Sequence, residues 1–252
     1  MPQYGFFFDQ GRCTGCQNCM LSCKEWNGIA PGPVRWMRVY QWETGAFPNT
    51  RIYALAVPCY HCENPVCVDA ANGAMYKEGK YGAVLIDPAK ATSIDLRKAN
   101  DACPYGAIVF ESDDMGAKAS KCTMCIDRLE QGQKPICVMS CDLRALEFGP
   151  LEDLVKKYGN LRQLDSMPDP NIAKPAAVFK KQLDRKQIVP YNSDKALDLW
   201  QGRGPNAPPD APQTFTTKQD VTNPPDGLIR RNKLVLKAKN IQEMLYWTTH
   251  DE

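Results

Sequence analysis

Twelve cysteines stand at spacings that point to a metal centre. Cys13, Cys16, Cys19 and Cys23 form one run, with two, two and three residues between successive thiols. Cys59, Cys62 and Cys67 make a second group, Cys103 stands alone before Pro104, and Cys122, Cys125, Cys137 and Cys141 make the last. Three chemistries compete for the pattern. Disulfides need an oxidising compartment and favour shorter chains, and two-residue gaps repeated this often suit a shared metal better than separate bridges. Structural zinc takes paired Cys-x2-Cys knuckles, but one tetrahedral ion is closed by two of them, and four Cys within one short run exceed its needs. Cubane iron–sulfur centres use the run C-x2-C-x2-C-x3-C, with the fourth thiolate going to the other cluster of a pair. At four thiolates per cluster, the twelve cysteines make three [4Fe–4S] clusters with none left over. A zinc-stabilised binding module stays open as the alternative.

The elements between the motifs must position these thiols. A short loop can wrap three corners of a cubane, so the fourth ligand has to come from another segment. Cys23 follows Cys19 where the chain turns into a helix, roughly Asn18–Trp26, and its sulfur is thereby aimed at a neighbouring cluster. Proline after Cys103 fixes the chain direction there, because its ring holds φ near −65°. β-Branched and aromatic content predicts short strands over Tyr4–Phe8, Val34–Trp42, Ile52–Val57, Ala83–Asp87, Ile108–Glu111 and Ala145–Phe148. Helices are predicted over Thr123–Gln131, ending at Gly132, and over Leu151–Tyr158, between Pro150 and Gly159. Strand, cluster loop and helix recurring in two copies is a ferredoxin-like plan of the α+β class. Phe6, Phe7, Phe8, Trp36 and Trp42 read as core or interface aromatics. Of the two histidines, His61 lies inside a Cys motif, where packing or a hydrogen bond suits it better than ligation, and His250 is expected at the surface.

The rest of the composition mainly excludes functions. The chain has 252 residues and a formal charge of +2, which gives no basic stripe for nucleic acid. The apolar stretch Ile52–Tyr60 covers nine residues, against about 20 for a bilayer span, so no membrane insertion is expected. The opening residues lack a basic n-region and reach Asp9 after three Phe, which predicts no signal peptide and a cytoplasmic protein; export together with a signal-bearing partner stays open. No Gly-rich phosphate loop or Ser-His-Asp ordering is visible, so no catalytic residue is assigned to this chain. After Cys141 there is no further cysteine, and 10 of the 20 prolines lie from Pro168 onward. Residues 1–150 are therefore expected to form the iron–sulfur body and residues 151–252 an extended, Pro-rich arm. Trp200, Phe215, Leu245, Tyr246 and Trp247 would anchor the arm on a partner subunit, and the basic run Arg230–Lys239 would meet that partner or solvent.

The segments Cys13–Cys23, Pro58–Cys67, Asp101–Ala107 and Lys121–Cys125 resemble the iron–sulfur subunit of the dimethyl sulfoxide reductase family of molybdopterin enzymes. The resemblance covers about residues 4–150, with the Glu63-Asn-Pro65 and Pro104-Tyr-Gly106 contexts also matching. It implies two interleaved ferredoxin-like units, with motif one sharing ligands with motif four and motif two with motif three. Carried over, cluster A takes Cys13, Cys16, Cys19 and Cys141. Cluster B takes Cys122, Cys125, Cys137 and Cys23, and cluster C takes Cys59, Cys62, Cys67 and Cys103. The resemblance also implies a large partner subunit holding molybdenum or tungsten on molybdopterin, with this chain transferring electrons for it. A third subunit, or a soluble electron donor or acceptor, would complete the system.

Departures from the family are equally specific. Its second motif continues to a Cys-Pro, where this chain has Ala71-Asn72. Its third motif has three Cys where this chain has Ser93, Leu96 and Ala99. These four positions would serve one cluster, so one cluster is lost whole and three stay complete. By analogy the lost cluster is expected third in the electron path, isolating B from C and leaving electrons within A and C. Three clusters, together with Asn72–Tyr76 and Leu85–Lys90, resemble the small subunits of pyrogallol–phloroglucinol transhydroxylases, which implies aromatic hydroxylation or dehydroxylation by the partner. The Pro-rich tail is not expected to form their additional β-rich C-terminal domain. A wiring subunit for a membrane-linked respiratory reductase or dehydrogenase is the other reading. Arg12, Lys24, Lys121 and Arg128 are expected to offset cluster charge.

Overall fold

The computed structural model describes residues 2–45, 50–183, 192, 194–195, 198–199, 202 and 231–249. They fall into two compact units. The first takes Met1–Gln41, Tyr53–Gln182 and Leu234–Glu252; the second takes Trp42–Ile52 and Leu183–Lys233.

In the first unit, β1 (Tyr4–Asp9) is the middle strand of a three-stranded sheet. It pairs antiparallel with β8 (Leu146–Pro150), Phe6 opposite Phe148, and parallel with β9 (Ala177–Lys180), Phe7 opposite Val178. A central strand covered on both faces has no polar alternation to keep, which is why three consecutive Phe are tolerated. Phe6, Phe7 and Phe8 are all buried. Phe7 stacks on Tyr158 of α6 (Leu151–Tyr158) with centroids 3.6 Å apart, and Leu151, Leu154, Ala176 and Val178 complete that core. A fully buried Phe contributes roughly 1.5–3 kcal/mol. Gly5 has to be glycine for this packing, since a Cβ there would sit 2.4 Å from the Ala176 carbonyl oxygen.

The sheet moves the expected boundary at residue 150. The segment 151–182 supplies α6, α7 (Pro170–Ala173) and β9 to the same unit as β1. Proline density is compatible with this because Pro150 and Pro170 stand at helix starts, where a missing N–H costs nothing. The segment Leu234–Glu252 also falls in this unit, and within it α8 (Ile241–Thr248) carries Leu245, Tyr246 and Trp247. Asn240 caps α8, its side-chain oxygen accepting from the Glu243 N–H at 2.8 Å. Trp200, Phe215, His250 and almost all of the expected arm over 201–227 lie outside the described residues.

Around the cysteines the elements are short. α1 (Asn18–Trp26) packs on α5 (Ile136–Met139), and Trp26 ties α1 to α4 (Ile126–Leu129) by donating to Asp127 at 2.7 Å. α4 is shorter than the predicted 123–131, because Met124 and Cys125 take left-handed backbone in the cluster loop. β2 (Arg38–Thr44) and β3 (Arg51–Val57) form a two-stranded sheet, the first starting later than predicted. Two hairpins follow, β4 (Met75–Lys77) with β5 (Val84–Ile86) and β6 (Val109–Phe110) with β7 (Ala119–Ser120). α2 (Val66–Ala70) packs on α3 (Ser93–Ala102), which Thr92 caps by accepting from the Asp95 N–H at 3.1 Å. In the second unit, Trp42 and Arg231 are buried, and the Glu43 N–H donates to the Arg231 carbonyl at 2.8 Å.

Candidate metal centres

The twelve cysteines are all free thiols, which leaves no disulfide among them. Three loops present their thiols by the same local device. The residue two places after the first Cys takes left-handed backbone: Gly15 at φ 73°, His61 at 45° and Met124 at 63°. In each of these loops that residue's N–H points back at the sulfur: Gly15 to Cys13, His61 to Cys59 at 3.5 Å and Met124 to Cys122 at 3.4 Å. Left-handed backbone costs a non-glycine residue roughly 1–2 kcal/mol, which the wrapping of a common centre would offset. A Cβ at Gly15 would also displace the Gln41 side chain.

The thiols gather into three sets. Cys13, Cys16, Cys19 and Cys141 line one pocket together with Phe8, Val39, Ala56 and Leu146. Burial pushes the Cys13 thiol up to about 11, with Cys141 and Cys16 adding to the effect against a Gly15 N–H that lowers it. Cys19 is raised by burial, then by Cys13, Cys141 and Cys16. In the second set, burial lifts Cys23 to about 12 with Cys125 adding to it, and Asn27 donates to the Cys23 sulfur at 3.7 Å. Cys137 is raised by burial, then by Cys122, Cys125 and Cys23. In the third set, Cys62 is raised by burial, then by Cys59, Cys103 and Cys67, and Cys67 is pushed up to about 12 by burial, then by Cys59 and Cys103.

These donor sets fit a cluster better than a single ion. Zinc draws four ligands to about 2.3 Å from one centre. Among the described residues, no three Cys, His, Asp or Glu side chains converge closely enough for one ion. Soft thiolates spread over several iron atoms are what a cubane requires. The thiols' high proton affinity means that assembly must expel protons as metal binds.

The positions where the family has a fourth set of ligands are closed. Ala71 and Ala99 are fully buried and Leu96 is 4% exposed, in one core with Ala74, Met75, Val84, Ile108 and Phe110. Ser93 instead donates its hydroxyl to the Gly116 carbonyl at 3.1 Å. Cys67 packs against this same core, which places the filled site beside the third set. Cys122 of the second set feels Cys59 of the third directly, as Cys137 feels Cys19 of the first. Motif four folds back against motif two, a long-range approach that counting ligands cannot reveal.

The polar residues near the sets also sort differently from the sequence reading. Arg12 is 60% exposed and pairs with Asp9 at 3.8 Å. Lys24 donates to the Ala30 and Gly32 carbonyls, both at 3.0 Å. Lys121 and Arg128 are buried; Lys121 donates to the carbonyls of Val84 and Cys122. His61 is fully buried, and its Nδ1 accepts from the Val84 N–H at 2.9 Å, a packing role. Burial holds its imidazole well below the usual range, with Lys121 adding to the effect. Sequence reasoning passed over Arg38, which is 1% exposed. Its only signal there is a cation within an apolar strand run.

Fold and thiol sets together define an iron–sulfur protein of the paired-cubane kind. Residues 50–151 match the model of the 4Fe–4S dicluster domain. The protein is 40% identical over 187 residues to the B chain of anaerobic dimethyl sulfoxide reductase of Escherichia coli, covering 71% of this chain and 88% of that protein. It is 36% identical to the B subunit of sulfite dehydrogenase of Allochromatium vinosum, covering 61% of this chain and 71% of that one. It is 35% identical to the pyrogallol hydroxytransferase small subunit of Pelobacter acidigallici, covering 59% and 57% respectively. This protein belongs to the iron–sulfur subunits of the dimethyl sulfoxide reductase family of molybdoenzymes, and its function is electron transfer within such an oxidoreductase complex. Among the described residues, no helix is long and apolar enough to cross a membrane.

Proposed function

We propose that this subunit carries three [4Fe–4S] clusters in the order A, B, C, with no fourth, and serves a partner subunit holding molybdenum or tungsten on a bis-pterin. When bound, the clusters supply one-electron relay between that partner and an external donor or acceptor. The observation that carries the reading is the sorting of twelve thiols into three sets of four, beside a fourth position packed with Ala71, Leu96 and Ala99. Pairing of β1, which leads into motif one, with β8, which follows motif four, supports interleaving of those two motifs.

The chain's own residues do the rest of the work. Cys13, Cys16, Cys19 and Cys141 hold A; Cys23, Cys122, Cys125 and Cys137 hold B; Cys59, Cys62, Cys67 and Cys103 hold C. Backbone N–H groups from His61, Met124 and Ala145 donate to Cys59, Cys122 and Cys141 and ease the sulfurs' negative charge. Phe8, Val39, Ala56 and Leu146 keep water from the first set. With the closed site beside C, the path is shortened at one end and stays continuous from A to C.

On the substrate side, three clusters favour a partner in aromatic hydroxylation or dehydroxylation, where little net electron flow is needed. Likeness to the B chain of dimethyl sulfoxide reductase across 88% of its length favours a second reading, a reductase fed by a soluble donor or a third subunit. Iron analysis of the anaerobically purified complex tests the proposal. About 12 irons per chain are expected from three cubanes, and about 16, or four separately titrating clusters, would sink it.

A further inference from the structure

Arg38 is a buried cation that no carboxylate among the described residues matches. The residue is 1% exposed. Nη2 donates to the Tyr105 carbonyl at 2.8 Å, and Nη1 donates to the Tyr40 hydroxyl at 3.0 Å and the Leu236 carbonyl at 3.2 Å. All three partners are neutral, and no carboxylate among the described residues pairs with it. A guanidinium cannot shed its proton to escape burial. An uncompensated buried charge is strongly unfavourable, so a negative partner is needed.

The third thiol set is where that partner would lie. The carbonyl gripped by Arg38 is that of Tyr105, two residues past Cys103, and the Tyr105 N–H donates to the Cys103 sulfur. Gly106 takes left-handed backbone at φ 57° and lets the Leu236 carbonyl, which Arg38 also grips, come close, since a Cβ there would stand 3.1 Å from that oxygen. Burial pushes the Cys103 thiol up; the Ala107 and Tyr105 N–H groups act against it, and the Arg38 guanidinium adds to them least. Neutral thiols supply no counter-charge, whereas thiolates on an iron–sulfur cluster carry net negative charge.

The described cations near the other two sets are placed differently. Arg12, near the first, is mostly exposed and paired with Asp9. Arg128, near the second, is buried, but Cys125 feels neighbouring Asp127 and Arg128 in opposite senses. Lys121 acts on Cys67 and Cys122 alike, so it does not distinguish the second set from the third. We propose that Arg38 is the fixed counter-charge of the Cys59, Cys62, Cys67 and Cys103 cluster, making it the highest-potential centre of the three, where an electron comes to rest. Net charge around a cluster is a main determinant of its potential. Arg38 is thus a positioning and tuning residue and touches no substrate. The inference rests on the three-cluster reading.

The test is spectroscopically monitored potentiometric titration of the anaerobically purified complex, comparing wild type, Arg38→Met and Arg38→Lys, with Cys103→Ser to identify the third cluster's signal. In wild type the Cys103-sensitive signal should be the first reduced as potential is lowered. Arg38→Met should cut its reduced-to-oxidised ratio at fixed potential by tenfold or more, about 59 mV for a one-electron couple. The other two signals should hold their places, and Arg38→Lys should retain most of the wild-type behaviour. If Arg38→Met cannot hold iron, the wild-type order of potentials decides, and a different first-reduced cluster overturns the proposal. Full iron with an unmoved third potential, or a common shift of all three, overturns the role of Arg38 alone. Wild-type iron far below about 12 per chain overturns the three-cluster reading and this inference with it.

Discussion

The body closes its loops in two ways. Around motifs one and four, chain segments more than a hundred residues apart meet at thiols: Cys141 with Cys13, Cys16 and Cys19, and Cys23 with Cys125 and Cys137. Around motifs two and three, one set of thiols is matched by an apolar core in which α2 lies on α3 through Ala71, Leu96 and Ala99. The first arrangement draws its cohesion from metal ligation, which becomes folding free energy. The second draws it from burial, at about 25 cal/mol per Å². In this second arrangement small and branched side chains fill the volume, so burial closes it without a ligand.

The largest effect is expected at Cys141. Cys141→Ala should unfold the motif-one and motif-four half, since structural metal sites contribute on the order of 10 kcal/mol. Circular dichroism and iron content measured together check this. Native stability with one redox signal missing would show that the clusters are passengers in an already stable fold.

Leu96→Ala probes the other half, where no metal is expected to help. Removing a buried leucine side chain costs about 2–5 kcal/mol, so the midpoint of chemical denaturation should fall while iron stays at the wild-type level. Loss of iron from this variant would mean that the apolar core also holds the third cluster's loops. A smaller effect is expected from Ala71→Cys. The site is fully buried, so the added sulfur should overpack the core at a cost of about 1–3 kcal/mol. No iron should be gained, because a single thiolate cannot hold a cubane.

The smallest effect concerns the β1–β8–α6 edge, where Tyr158 and Lys157 of α6 donate to the Glu147 carboxylate. The Tyr158 hydroxyl first, and Lys157 next, hold Glu147 below the ordinary carboxylate value of 4.5. A carboxylate depressed on folding stabilises the protein above the unfolded value and loses that contribution as pH falls through the folded one. Glu147→Gln should therefore be slightly less stable than wild type at pH 7, with the difference shrinking below pH 4.5. Denaturation at pH 7 and pH 3.5 measures it, and a difference of the same size at both would remove the charge from the explanation.

Much of the site was legible because its signals are local. The run Cys13–Cys23 and the missing thiols at Ser93, Leu96 and Ala99 are set by spacing along the chain, and α1 and α6 fall where their flanking residues predict. The interruption of motif three by a helix, α3, was not predicted, although Thr92 and Asp95 offered a capping signal. β9 is not legible from the Pro-rich composition of the tail, because its four residues Ala177–Lys180 gain their stability only by adding to the edge of β1.

By itself the sequence determined the donor chemistry: twelve thiols in cubane spacings, and Ala71, Ser93, Leu96 and Ala99 without them. Ligand type and short-range spacing are written in consecutive residues, and folding cannot alter them. Tertiary structure decided which sets are neighbours, bringing Cys122 to Cys59 and Cys137 to Cys19. It also decided that Arg38 would lose its solvent and that Ala71 and Ala99 would seal a site. Those outcomes depend on burial and on approaches between segments far apart in the chain, where dielectric and packing are properties of the assembled core and of no single stretch.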